Sequence, residues 1–109
     1  DRDGEFLSTV VNVRVPIGDL ALFQNHPNPF NPSTTISFYL PKVTRAVLTI
    51  YDVQGKQLIT LLNETTNFGL HEIVWNGKDD RGNPVSSGVY FYRLQVGKRV
   101  FTKKLTLLK

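Results

Sequence analysis

Hydrophobic and polar positions alternate along most of this chain with a period of two, the pattern of strands that bury one face and wet the other. Thr34–Leu40 sets Ile36, Phe38 and Leu40 inward and Thr35, Ser37 and Tyr39 outward, and Pro41 stops it. Arg45–Val53 turns Ala46, Leu48 and Ile50 inward, with Gln54–Gly55 as the following turn. Lys56–Leu62 is a further strand, in which the odd spacing of Leu58 and Leu61 predicts a bulge. Asn63–Phe68 reads as a polar loop. In Gly69–Asn76, His71, Ile73 and Trp75 alternate with Glu72, Val74 and Asn76, and the Gly, Pro, Asn and Ser content of Gly77–Gly88 makes it loop. Val89–Val96 has Tyr90, Tyr92, Leu94 and Val96 on one face. Gly97–Lys98 is a turn, and Arg99–Leu108 is the final strand, with Phe101, Lys103, Leu105 and Leu107 sharing a parity.

The N-terminal third adds a different signal. Asp1–Leu7 is polar and reads as frayed or as linker, whereas Val11, Val13 and Val15 alternate with Val10, Asn12 and Arg14 in a candidate strand, Ser8–Val15, ended by Pro16 and Gly18. Leu20–Phe23 is a short apolar lead-in. Next come Pro27, Pro29 and Pro32, each fixing its own φ and driving its predecessor towards extended geometry, so helix is excluded there. Asn28 and Asn31 can close Asx turns, and Phe30, isolated among polar residues, is expected to plug the core. The whole run is expected to cross the surface from one sheet to another. No segment keeps a 3.6-residue period. Seven or eight short strands with frequent turn signals predict an all-β antiparallel sandwich, divided as 1–19, a linker remnant with a candidate strand, and 20–109, the folded domain.

Composition narrows the reading. The chain has 109 residues, 40% of them apolar, which suits a single domain with its own core. It has no cysteine, so neither a disulfide framework nor a thiolate metal site is available. It also has no methionine, which implies a processed fragment or a piece of a longer protein. No apolar run is long enough for a membrane-spanning helix, so direct membrane insertion is not expected. Net charge is +4, and from Arg93 onward six basic residues (Arg93, Lys98, Arg99, Lys103, Lys104 and Lys109) occur without an acid. A nucleic-acid reading would use this basic end. No basic helix or nucleic-acid motif accompanies it, and a lysine-guarded edge strand explains the same charges.

Catalytic chemistry finds little to work with. His26 lies in the proline run, and His71 on an inward parity is expected to bond backbone at the edge of the core. Asp79 and Asp80 are adjacent, so on an extended chain they point apart and cannot share a proton, and no serine has the nucleophile-elbow pattern. Asn76, Asp79, Asp80 and Asn83 offer oxygen ligands, yet they lack the spacing and terminal Glu of an EF-hand loop, and tight turns need the same residues. The expectation is a protein that is not an enzyme and needs no metal or cofactor. Outward Tyr39, Tyr51 and Phe91 would suit stacking on sugar rings if they formed one strip, or packing on a neighbouring domain.

QNHPNPFNPSTTISFYLP, LTIYDVQGKQL, GLHEIVWNGKDDRGNPVSSGVYFYRLQVG and the closing TKKLTLLK together resemble the type A C-terminal sorting domain of the type IX secretion system, from about Leu22 to Lys109. WNGKDDRGNPVSSGVYFYRL also resembles the immunoglobulin-like domain of the flagellar hook-capping protein. Asn76 departs from the family, which usually has Asp after the Trp. The resemblance implies an immunoglobulin-like sandwich at the end of a larger precursor, directing an upstream cargo domain through the periplasm and across the outer membrane of a Gram-negative bacterium. Cleavage and anchoring to surface polysaccharide often follow. Its partners would be the outer-membrane secretion and sorting machinery, with no nucleic acid. Carried over, Lys103, Lys104, Leu105, Leu107, Leu108 and Lys109 would be the recognised end, gripped by strand addition along the terminal hairpin. Asn28, Pro29, Phe30, Asn31 and Pro32 match the family's Asn-Pro-Phe-Asn-Pro run. Gly69 and His71 match its Gly-x-His element, Trp75 its tryptophan, and Gly88, Tyr90 and Tyr92 its core strand. The alternatives are a structural immunoglobulin-like spacer and a carbohydrate-binding module.

Overall fold

Backbone pairing in the computed structural model, which describes residues 19–109, sorts the alternating segments into two antiparallel sheets. The strands are β1 (Ala21–Leu22), β2 (Thr34–Leu40), β3 (Thr44–Tyr51), β4 (Gln57–Thr66), β5 (Gly69–Trp75), β6 (Gly88–Val96) and β7 (Arg99–Leu107). One sheet has the order β1-β2-β5 and the other β4-β3-β6-β7. This is an all-β, immunoglobulin-like sandwich. The candidate strand Ser8–Val15 and nearly all of the 1–19 linker lie outside the described residues.

The inward parities read from the sequence meet between the sheets. Ile36, Phe38 and Leu40 of β2, with Trp75 of β5, face Ala46, Leu48 and Ile50 of β3, Tyr90, Tyr92 and Leu94 of β6, and Leu105 and Leu107 of β7, all buried. Burying a side chain of this size stabilises the fold by about 1.5–3 kcal/mol, so this layer supplies the main driving force.

Three expectations need correction. Asn63–Phe68 is not a loop: β4 continues to Thr66, because Asn63–Thr66 pair with Val47–Thr44 through backbone bonds that make no demand on side-chain hydrophobicity, and only Asn67 and Phe68 turn the chain. Arg45–Val53 stops as strand at Tyr51, where the Asp52 carboxylate accepts the Gln54 and Lys56 amides, each at 2.9 Å, and starts the turn. The proline run does not cross between sheets. It leaves β1, touches β7 of the opposite sheet, and returns to β2 beside β1, since both flanking strands are held by antiparallel pairing in the same sheet. The predicted bulge is present twice over: Leu48 and Thr49 face Leu62 and Thr60, skipping Leu61, and Ile50 and Tyr51 face Ile59 and Gln57, skipping Leu58.

Candidate interaction site at the closing strand

The candidate signal residues and the proline-run motif meet along β7, whereas Gly69 and His71 lie at the other end of the sandwich. The Phe30 amide donates to the Thr106 carbonyl at 2.9 Å, and the Leu108 amide donates to the Phe30 carbonyl at 3.0 Å, so Phe30 makes a short parallel bridge to Leu107. The Asn28 side-chain carbonyl accepts the Thr106 amide at 3.0 Å, and the Gln24 amide group donates to the Lys104 carbonyl at 2.8 Å. Beyond the strand, the Lys109 amide donates to the Ser87 hydroxyl at 3.0 Å. The outer edge of β7 is therefore occupied by the chain itself from Lys104 to Leu108. This corrects the expectation that the terminal hairpin offers that stretch for strand addition: the Lys104 carbonyl, both Thr106 groups and the Leu108 amide are already bonded. By the alternation of the strand, the same edge continues through Thr102 and Val100, and among the described residues nothing bonds to their outward groups.

Side chains of the expected signal divide by burial. Leu105 and Leu107 are core residues, Lys103 is half-buried beside Tyr92 across the pair, and Lys104, Leu108 and Lys109 are exposed. Lys104 stands opposite Phe91 on the outer face of the four-stranded sheet, and Phe91 stands opposite Tyr51. Arg93 lies over the Tyr51 ring at 4.6 Å and donates to its hydroxyl. Tyr39 is on the outer face of the other sheet, so the three outward aromatics do not form one strip.

The remaining motif residues hold the end of the sandwich beneath this edge. Phe30 is buried against Trp75 with ring centroids 5.5 Å apart, and Trp75 meets Tyr90 edge-on at 5.8 Å. The Trp75 indole N–H donates to the Lys78 carbonyl at 2.9 Å, and the Tyr90 hydroxyl to the Ser86 carbonyl at 2.5 Å. Pro29, Asn31 and Pro32 surround Phe30 in the loop; the Pro29 and Asn31 positions are exposed. The Tyr92 hydroxyl donates to the Phe23 carbonyl at 2.7 Å and accepts the Asn25 amide at 2.8 Å. Burial pushes its ionisation up to about 12, with the Asn25 hydrogen bond pulling weakly the other way. No pattern of alternation marks Asn25, a buried residue whose side chain donates to the Thr34 hydroxyl at 2.9 Å and to the Pro27 carbonyl at 3.2 Å.

The candidates for chemistry have structural partners. His71 stacks on Phe38 at 5.4 Å, and its Nε2 contacts the Asn67 carbonyl at 2.7 Å, the backbone bond expected of it. Gly69 opens β5 and Gly88 opens β6, each with positive φ. In the Asn76–Asn83 loop, the Asp79 carboxylate accepts the Arg81 and Asn83 amides at 3.0 Å each, and the Asn76 side chain accepts the Lys78 amide at 3.2 Å, so both serve the turn. Among the described residues, no group of three His, Cys, Asp or Glu side chains is placed to hold a metal ion.

The family model of the FlgD Ig-like domain matches residues 27–99, and the chain belongs to that family. Among solved structures it is similar to dimeric latent PorU from Porphyromonas gingivalis, with 27% identity and a TM-score of 0.65 over 91% of this chain and 10% of that one. It is similar also to PorZ of that species, described as an essential bacterial surface component of the type-IX secretion system, with 24% identity and a TM-score of 0.59 over 81% of this chain and 11% of that one. FlgD from P. aeruginosa matches with 24% identity and a TM-score of 0.54 over 68% of this chain and 58% of that one. The PorZ and FlgD likenesses concern the fold alone. This chain spans about a tenth of the PorU and PorZ chains it matches. No curated protein sequence matches it significantly.

Proposed function

We propose that this domain is a non-catalytic sorting module of a larger exported protein, recognised by outer-membrane type IX secretion machinery and delivered to the cell surface. The observation that carries the reading is the PorU likeness, which extends over 91% of this chain at 27% identity. It joins the TKKLTLLK segment laid along an acid-free β7. The bonded edge of β7 changes how recognition would work. With Lys104–Leu108 already paired to Gln24, Asn28 and Phe30, the machinery would read exposed side chains, Lys104, Leu108 and Lys109, rather than add a strand there.

The test fuses the domain to a periplasm-directed fluorescent protein in a host that has the secretion system. Lys104→Ala with Lys109→Ala should lower surface delivery while moving the melting temperature by no more than about 2 °C, as exposed substitutions do. Leu105 and Leu107 are unsuitable probes because both are buried. Parental export of the double variant would place recognition elsewhere on the sandwich. A second reading, a structural spacer, is favoured by membership of the FlgD Ig-like family. A spacer leaves reporter export unchanged even when the whole domain is deleted.

A further inference from the structure

Three turns meet at the end of the sandwich opposite Phe30: the inter-sheet connections β2–β3 and β4–β5, and the β6–β7 hairpin. Leu40 pairs with Gly69, Thr44 with Thr66, and Val96 with Arg99, so Pro41–Val43, Asn67–Phe68 and Gly97–Lys98 all lie at that end. Leu20, Pro41, Lys42, Thr44, Val96 and Lys98 line a groove of about 390 Å³ between the first and third turns. Apolar side chains stand out in the turns: Val43 is 55% exposed and Phe68 64%, while Leu70 and Val100, the second residues of β5 and β7, are exposed on the opposite outer faces just behind them. A turn position ordinarily takes a small or polar residue, and among the described residues Phe68 is not one of the hydrophobics packed against the core.

Cations surround these side chains. Lys42, Arg45, Lys98 and Arg99 are exposed at the same end, Arg45 bonded to the Asn63 side chain at 2.7 Å and Arg99 lying over the Phe101 ring at 5.2 Å. Among the described residues, the acids towards this end are Glu64, two residues before the end of β4, Glu72, three residues into β5, and Asp19 at the start of the described chain, whereas Asp52, Asp79 and Asp80 belong to loops at the opposite end. Protruding apolar tips ringed by lysine and arginine match the two attractions of a peripheral membrane site: burial of apolar groups at the acyl boundary and Coulombic attraction to anionic headgroups. A second copy fits less well, because two such ends would set their cations against each other.

We propose that this three-turn end docks on an anionic lipid surface, lying on it without spanning it. The probe is co-sedimentation with vesicles of phosphatidylcholine alone or mixed with phosphatidylglycerol. The protein should pellet with the anionic vesicles and stay in solution with the neutral ones, and binding should weaken as salt rises. Phe68→Ser with Val43→Ser, and separately Lys42→Gln with Lys98→Gln, should each lower the apparent affinity by about tenfold or more. All four positions are exposed, so unchanged melting temperatures keep the comparison clean. Failure to pellet with anionic vesicles overturns the proposal, as does binding that survives both double variants. Binding to soluble polyglutamate but not to vesicles would make the site a protein contact, and concentration-dependent dimerisation lost in the Phe68 variant would make it a contact between copies; either result also overturns it.

Discussion

The Phe30 ring lies 5.5 Å from the Trp75 ring, and this contact links the proline loop to the end of β5 at one end of the core. The same residue's backbone closes the edge of β7, so one position fills a volume and satisfies two hydrogen-bonding groups. Phe30→Ala and Trp75→Ala should each cost about 3–5 kcal/mol in chemical denaturation. A loss below about 1 kcal/mol for either would contradict its burial.

Tyr92 should make stability fall at high pH. Its folded ionisation is raised to about 12 from an ordinary value near 10, so the folded state holds the phenolic proton longer than the unfolded chain does. The contribution is complete below pH ~10 and is lost as pH rises towards and through ~12. Tyr92→Phe should flatten that alkaline limb. At neutral pH it should cost about 1–3 kcal/mol, because the Phe23 carbonyl and Asn25 amide lose their buried partner. An alkaline limb of the same slope in the variant would show that other groups cause it.

Gly77 has φ +75, and a Cβ there would meet the Pro32 carbonyl oxygen at 3.3 Å. Gly77→Ala therefore combines a left-handed backbone with a close approach to a backbone atom, and should destabilise by about 1–3 kcal/mol. Gly82, also with positive φ but with open space around it, is the comparison, and Gly82→Ala should cost less. Equal midpoint shifts in urea would remove the steric part of the argument.

Asp79 accepts two amides of its own turn. Asp79→Ala should cost about 1–2 kcal/mol, and neither the parent nor the variant should change its unfolding midpoint with calcium or a chelator. A calcium-dependent rise that disappears in Asp79→Ala would turn this loop into a metal site.

Face assignment was legible because side-chain parity is a local property: Ile36, Phe38, Ala46, Leu48, Tyr92 and Leu105 all fall where alternation puts them. The spacing of Leu58 and Leu61 likewise marked the two residues skipped by the ladder. Which strand neighbours which is not local. Nothing in the pattern separates Tyr39 from Tyr51 and Phe91, although they lie on opposite outer faces. Asn63–Thr66 looked like loop because a polar stretch can be strand whenever a partner supplies hydrogen bonds. The covered edge of β7 was hidden for the same reason: it depends on backbone contacts between Phe30 and Thr106–Leu108, far apart in the chain.

Those contacts also set an order on folding. Phe30 belongs to the beginning of the described domain, and its backbone partners belong to the last strand and the residue after it. The centre of the four-stranded sheet likewise waits for β6 to reach β3. A chain emerging amino end first can form the β2–β3 and β3–β4 turns early, but it cannot seat Phe30 until residue 108 is free. Such distant pairings are slow to find, on the order of milliseconds to seconds for all-β domains. The domain would therefore commit to its native state only after synthesis of its last strand, leaving an interval in which the nascent chain is still pliable.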